Sequence, residues 1–195
     1  MIRILSAVLF CLFWFAYLGK IYQLKRRHVQ AFHLGEKVKK PSSAQERAVR
    51  MTSTAWTILW AAEIAASGYI AMLPLSFHGN TALSITGLAV TAAGLALFVS
   101  AMISMRSSWR VGIDAHAKTE FVTRGVYRFS RNPAFVGFDC MFAGLFITYP
   151  DMLTAAVLAA NLITIHLLIL CEEAYLLKMH GGAYESYRKK VRRYI

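Results

Sequence analysis

Two short polar stretches interrupt the apolar C-terminal half of this chain, and both hold residue types capable of chemistry. The first, TEFVTRGVYRFSRNPAFVG from Thr119 to Gly137, sets Arg131-Asn132-Pro133 ahead of a long apolar run. Asn is favoured at a helix N-cap and Pro at the first helical position, so the spacing predicts a helix starting at Asn132 or Pro133. The free N–H groups and positive dipole end of such a helix attract a carboxylate or phosphate, and Arg131 adds a full charge. Gly125 permits a turn, while Phe121, Tyr127 and Phe129 supply aromatic faces. The second stretch, Glu172-Glu173, closes another apolar run. Adjacent helical residues point about 100° apart, so one of the two can face a pocket fully and the other cannot. A carboxylate there can orient an acceptor or serve as a general base toward an amine or hydroxyl. The alternative is a solvated acidic pair at a helix end, where the dipole prefers cations.

Positioning these groups requires elements, and the apolar runs supply them. Ile2 to Tyr22 carries charge only at Arg3 and Lys20 and is long enough to cross a hydrocarbon core of about 30 Å. A cleaved signal peptide is the competing reading, but the apolar region is long and no small-residue cleavage site follows Leu18. Lys25 to Arg50 reads as a polar connection. A second span runs from about Ser53 to Leu75, broken by Glu63, and a third from Ala82 to Ile103 with small residues at Gly87, Ala92, Ala93 and Gly94 that allow close helix packing. Pro133 to Tyr149 and Met152 to Leu170 form a hairpin through Pro150-Asp151. After Gly181-Gly182, the tail puts Tyr184, Tyr187 and Val191 on one side of a basic amphipathic helix, expected at the membrane surface.

The fold expected is therefore all-α: a polytopic membrane bundle of about five spans plus a C-terminal interfacial helix. One domain covers 1–195, with three spans in 1–103 and the loop, hairpin and tail in 104–195. Lys and Arg number 8 in residues 22–50, 6 in 104–132 and 6 in 171–195, with none in 76–81 or 150–151. That asymmetry predicts an outer N-terminus and a cytoplasmic C-terminus, with both polar stretches on the cytoplasmic face.

Composition excludes other classes. The 195 residues are 57% hydrophobic, with a mean hydropathy of +0.45, outside the soluble range. The net charge of +12 is spread beside apolar segments, which points to anionic lipid headgroups as the counter-charge and away from nucleic acid. Cys11, Cys140 and Cys171 are too scattered for a disulfide framework or a zinc site. His166 has no second ligand at helical spacing, so no metal is expected; His116 lies in the loop. Glu63 and Asp139 fall inside spans, where a charge costs about 3 kcal/mol by insertion scales, so each needs a partner or a polar cavity. They support a small transporter as the rival class, against which the absence of a visible repeat and the large basic loop argue.

The ordered pieces Val122-Thr123, Gly125-Val126-Tyr127, Arg131-Asn132-Pro133, Gly137, Glu172-Glu173, Gly181, Tyr184 and Tyr187 resemble the isoprenylcysteine carboxyl methyltransferase and phospholipid methyltransferase superfamily. The resemblance implies an integral-membrane enzyme that uses S-adenosylmethionine on a lipid-like or isoprenoid acceptor, in contact with membrane lipids. It implies a cofactor site of Thr119, Glu120, Phe121, Val122, Gly125, Tyr127, Asn132, Pro133, Ala134, Phe135 and Gly137, with Glu172, Glu173 and Arg131 in catalysis and Glu172 as the substrate-facing carboxylate. Asn132 stands where the commonest form of the family has His, Phe135 where it has Tyr, and Leu168 where the prenylcysteine enzymes have Arg. These departures keep a hydrogen-bonding side chain at 132 without a titratable ring and argue against a prenylcysteine acceptor. They also leave room for a third class, a non-catalytic protein that keeps the fold.

Overall fold

A computed structural model describes residues 1–27, 43–70, 72, 76–77, 79–109 and 121–195. Among them are six α-helices: α1 Ile2–Arg26, α2 Ser43–Ile70, α3 Thr81–Met105, α4 Pro133–Thr148, α5 Met152–His180 and α6 Gly182–Lys190. Short 3-10 turns occupy Arg106–Ser108 and Gly125–Arg128. The protein is an all-α bundle. Three helices, Ile2–Arg26, Thr81–Ser108 and Met152–His180, are long and apolar enough to cross a membrane. At 16 residues, α4 rises about 24 Å, short of a full hydrocarbon core. Large apolar side chains stand exposed along α1, among them Ile4 and Phe15 at 69% and 80%, as expected of a surface whose solvent is lipid.

Close packing of α3 on α4 follows from the small residues. Gly87, Thr91, Gly94 and Phe98 recur at heptad spacing on α3, and Gly137, Met141, Gly144 and Thr148 do so on the antiparallel α4. A Cβ built on Gly94 would stand 2.6 Å from the Gly137 carbonyl oxygen, and one on Gly137 would stand 2.7 Å from that of Gly94. Backbone therefore meets backbone here, the arrangement small residues permit in membranes. An aromatic cluster fills the centre: Trp56 stacks on Phe142 with centroids 4.9 Å apart, and Phe13 meets Trp56 edge-on at 5.3 Å.

The α4–α5 turn forms as its sequence predicts. Asp151 Oδ1 accepts from Leu153 N at 2.7 Å and Thr154 N at 3.0 Å, completing a capping box. Of the two intramembrane acids, Asp139 accepts from Asn161 Nδ2 at 2.8 Å. Glu63 is buried, and its Oε1 has no hydrogen-bond partner among the described residues. Near it α2 kinks at Ala66 (φ −134°), and the Arg3 guanidinium donates to the carbonyls of Ile64 and Ala65.

Three readings are corrected. Helix α2 starts at Ser43 and not near Ser53: Glu46, Arg47 and Arg50 belong to a helix on which Val49 packs on Ile165, Leu168 and Ile169 of α5 and Glu46 is itself buried. The alternative of a solvated acidic pair at a helix end is removed, since α5 continues past Glu172 and Glu173 to His180. Finally, the tyrosines of α6 turn inward: Tyr184 is 1% exposed, and Tyr187 donates to the Tyr127 carbonyl at 2.6 Å. An amphipathic pattern marks which side is covered, and here the cover is the chain itself.

Candidate active site

The turn at residues 121–132 is shaped by Gly125, whose φ of +63° suits only a residue without Cβ; a Cβ there would also strike the Ser104 hydroxyl at the end of α3. Asn132 occupies the N-cap position of α4 and Pro133 its first turn, as the spacing predicts. The Asn132 side chain caps nothing, however. Its Nδ2 donates to Glu173 Oε1 at 3.2 Å and to the Arg193 carbonyl at 3.1 Å, while Ser130 Oγ accepts from Asn132 N at 3.1 Å.

Glu173 is the hub of this knot. Arg131 Nη2 stands 2.9 Å from its Oε1, Arg193 Nη2 stands 2.9 Å from its Oε2, and Arg193 Nε donates to Oε2 at 3.2 Å. Arg131 Nη1 further donates to the carbonyls of Arg188 and Val191 at 3.1 and 2.7 Å. Residues 191–195 return alongside the turn, with Arg192 bridged to Ser130 and the Tyr194 hydroxyl 2.5 Å from His166 Nδ1. Hydrogen bonding to the Glu173 carboxylate pushes the Arg193 guanidinium pKa up. Arg131 and Glu173 are thus engaged with each other and with the tail.

Beside the knot lies a cavity of about 540 Å³. Its polar end carries Phe121, Tyr127, Asn132, Glu172, Tyr184 and Tyr187; its deep end carries Phe13, Trp14, Trp56, Phe98 and Phe138. Glu172 lines this space and makes no ion pair or hydrogen bond among the described residues. Burial pushes the Tyr127 phenol up, and the Glu172 charge nearby adds to the effect. Burial likewise pushes Tyr184 and Tyr187 up to about 12, so all three phenols stay neutral. The Tyr184 hydroxyl is buried without a geometric hydrogen-bond partner among the described residues. Phe121 stacks on His180 at 5.1 Å and meets Tyr184 and Tyr187 edge-on at 5.7 and 5.2 Å.

Of the cofactor-site residues expected from sequence, Phe121, Val122, Tyr127, Asn132, Ala134 and Phe135 line the cavity. Gly125, Pro133 and Gly137 do not: the first two shape the turn and helix start, and Gly137 packs against α3. Thr119 and Glu120 lie outside the described residues, as does His116. The cavity also uses residues that the sequence reading passed over, namely Arg50, Ser53, Thr54 and Thr57 of α2 and the aromatics of α1. The α2 set recurs at i, i+3, i+4 and i+7, the spacing of one helix face, and that signal could have found it. Leu168 lines the cavity one turn before Glu172.

The described residues thus form a helical bundle with a polar, carboxylate-bearing pocket continuous with an aromatic chamber. Residues 83–183, just over half of the chain, match the phospholipid methyltransferase family, and the protein belongs to that family. Its class is thereby methyl transfer to lipid-like substrates, carried out by an integral membrane protein. No curated protein sequence matches the chain.

Proposed function

We propose that the protein transfers a methyl group from S-adenosylmethionine to a hydrophobic, lipid-like acceptor at the cytoplasmic face of the membrane. The observation that carries this reading is the single cavity with two chemistries, a polar aromatic end and an apolar end. A water-soluble donor and a lipid acceptor need such a vessel, because the two must meet in line with water excluded.

The residues present fit that cofactor. The ring group of Phe121, Tyr184 and Tyr187 offers faces for an adenine or an onium centre, and the buried Tyr184 hydroxyl, which donates to no acceptor among the described residues, can donate to a ligand. The open N–H groups at the start of α4 suit a carboxylate. When bound, S-adenosylmethionine supplies an electrophilic methyl group on a sulfonium. Glu172 then orients the acceptor and takes the proton of an amine or hydroxyl, and Glu173 holds the Arg131 and Arg193 side chains that close the tail over the pocket. Phe13, Trp14 and Trp56 receive the apolar part of the acceptor. The cytoplasmic assignment rests on the Lys/Arg distribution between connections. A reporter fused after Ile195 that is active only on the outer side would refute it.

Calorimetry with S-adenosylmethionine and S-adenosylhomocysteine separates this enzyme from a transporter and from a non-catalytic protein of the same fold. Saturable binding of both supports the proposal. Absence of binding to folded protein sinks it.

A further inference from the structure

The matched segment begins at residue 83, so α1 and α2, which form much of the chamber, lie outside it. One side of α2 faces the cavity with Arg50, Ser53, Trp56 and Thr57. Along this side Arg50 and Thr54 are exposed, Ser53 is half-buried and Trp56 is 1% exposed, so the wall reaches the surface at Arg50 and Thr54. Register with α5 is set by Val49 in its cluster with Ile165, Leu168 and Ile169. Arg50, next after Val49, and Glu172, one turn past Leu168, line the same cavity.

Arg50 makes no ion pair among the described residues, although it borders a pocket that the Glu172 carboxylate also lines. Thr54 and Thr57 donate their hydroxyl protons to the carbonyls of Arg50 and Ser53, at 2.8 and 2.9 Å, which leaves oxygen lone pairs but no donor. Ser53 makes no such bond, so its hydroxyl, the Arg50 guanidinium and the buried Trp56 Nε1–H, which has no partner among the described residues, are the donors on this wall. A guanidinium beside a free hydroxyl, over an aromatic shaft, recognises an oxyanion attached to an apolar chain.

We propose that Arg50, assisted by Ser53, is the anion subsite of the acceptor: it binds a phosphate or carboxylate near the head of the lipid while the tail enters past Trp56, which turns the reacting atom toward Glu172. This deepens the methyltransferase reading of the cavity and rests on it. Arg50 is then a positioning and specificity residue, not a catalytic one.

Two sources of the anion are distinguished by acceptor. Purified protein in detergent is given labelled S-adenosylmethionine with either phosphatidylethanolamine, a lipid phosphate, or farnesoic acid, an isoprenoid carboxylate. The acceptor that is methylated identifies the source. Arg50→Ala should raise KM for it by about ten- to a hundred-fold, as loss of a charged hydrogen bond does, with Arg50→Lys partly restoring it and S-adenosylhomocysteine affinity unchanged. Arg47→Ala removes the same charge from a neighbouring position that does not line the cavity, and should change nothing. Equal effects of the two variants reduce Arg50 to general surface charge and overturn the proposal.

A second readout is independent of turnover. Brominated-chain phosphatidic acid should quench the fluorescence of the cavity tryptophans in wild-type protein at lower concentration than brominated diacylglycerol, which has no anion, and Arg50→Ala should abolish the difference. The same preference in wild type and Arg50→Ala, or no preference in wild type, refutes the subsite. Failure of donor binding with this preference intact refutes only the methyltransferase reading.

Discussion

Arg131, just before α4, and Glu173, well inside α5, lie 42 residues apart in sequence and meet at 2.9 Å with side chains 9% and 8% exposed. The contact ties together the turn before α4, the long helix α5 and, through Arg193, the returning tail. It lies beside Glu172, whose side chain lines the cavity. Neighbouring acids on one helix thus divide the work by direction: one turns into an ion-pair knot, the other into the cavity.

Because that pair is buried, breaking it on one side leaves an uncompensated charge. Glu173→Leu or Arg131→Met should each destabilise the protein by about 3–5 kcal/mol, whereas the double variant should be less damaged than the two single effects summed. Thermal unfolding in detergent measures this. Limited trypsin digestion at Arg188 to Arg193 should also accelerate in the single variants, because the tail has lost its anchor.

Glu172→Gln should behave differently. It preserves shape and hydrogen bonding but removes the charge that faces the acceptor, so turnover should fall by about 10²–10⁴-fold with donor affinity nearly unchanged. Stability should stay close to wild type, since no ion pair is lost. Near-normal turnover in Glu172→Gln would assign the chemistry elsewhere.

At the α3–α4 contact, Gly94→Ala forces a methyl to within 2.6 Å of a backbone oxygen, and the helices must separate. The expected cost is about 1–3 kcal/mol, with lowered donor binding because α4 carries Asn132, Ala134 and Phe135 to the cavity. Gly19→Ala is the control: a Cβ there meets nothing within 4 Å, and Ala is the better helix former, so stability should hold or rise.

The phenols give a pH dependence. Tyr184 and Tyr187 are raised from 10.0 to about 12 in the folded protein. Below pH 10 both states bind the phenolic protons and the contribution of these groups to stability is whole. As pH rises from 10 toward 12 the unfolded chain releases protons that the folded one retains, and that contribution is lost. Tyrosinate absorbance followed together with far-ultraviolet circular dichroism should show part of the tyrosine titration delayed until the protein unfolds. Complete titration around pH 10 in folded protein would contradict the burial of these rings.

Much of this arrangement is legible from local signals. Asn132-Pro133 starts α4, and Pro150-Asp151 turns into α5, because caps depend on a few adjacent residues. The start of α2 is hidden because Glu46, Arg47 and Arg50 look like a connection until Val49 is seen packing on α5. In α1, apolar residues surround the helix, so nothing in the pattern marks Phe13 and Trp14 as facing a cavity and Phe15 as facing outward. The tail tyrosines fit a membrane surface and a protein groove equally well by periodicity. Glu172 and Glu173 are separated in role only by the rotation of α5 against Arg131 and Arg193, which is a tertiary fact.

The most direct measurement is transfer of labelled methyl from S-adenosylmethionine into a total lipid extract by purified protein, with Glu172→Gln alongside. The account predicts label in the organic phase from wild-type protein and little above background from Glu172→Gln. No label from folded wild-type protein above a protein-free control, or equal label from both proteins, would contradict it.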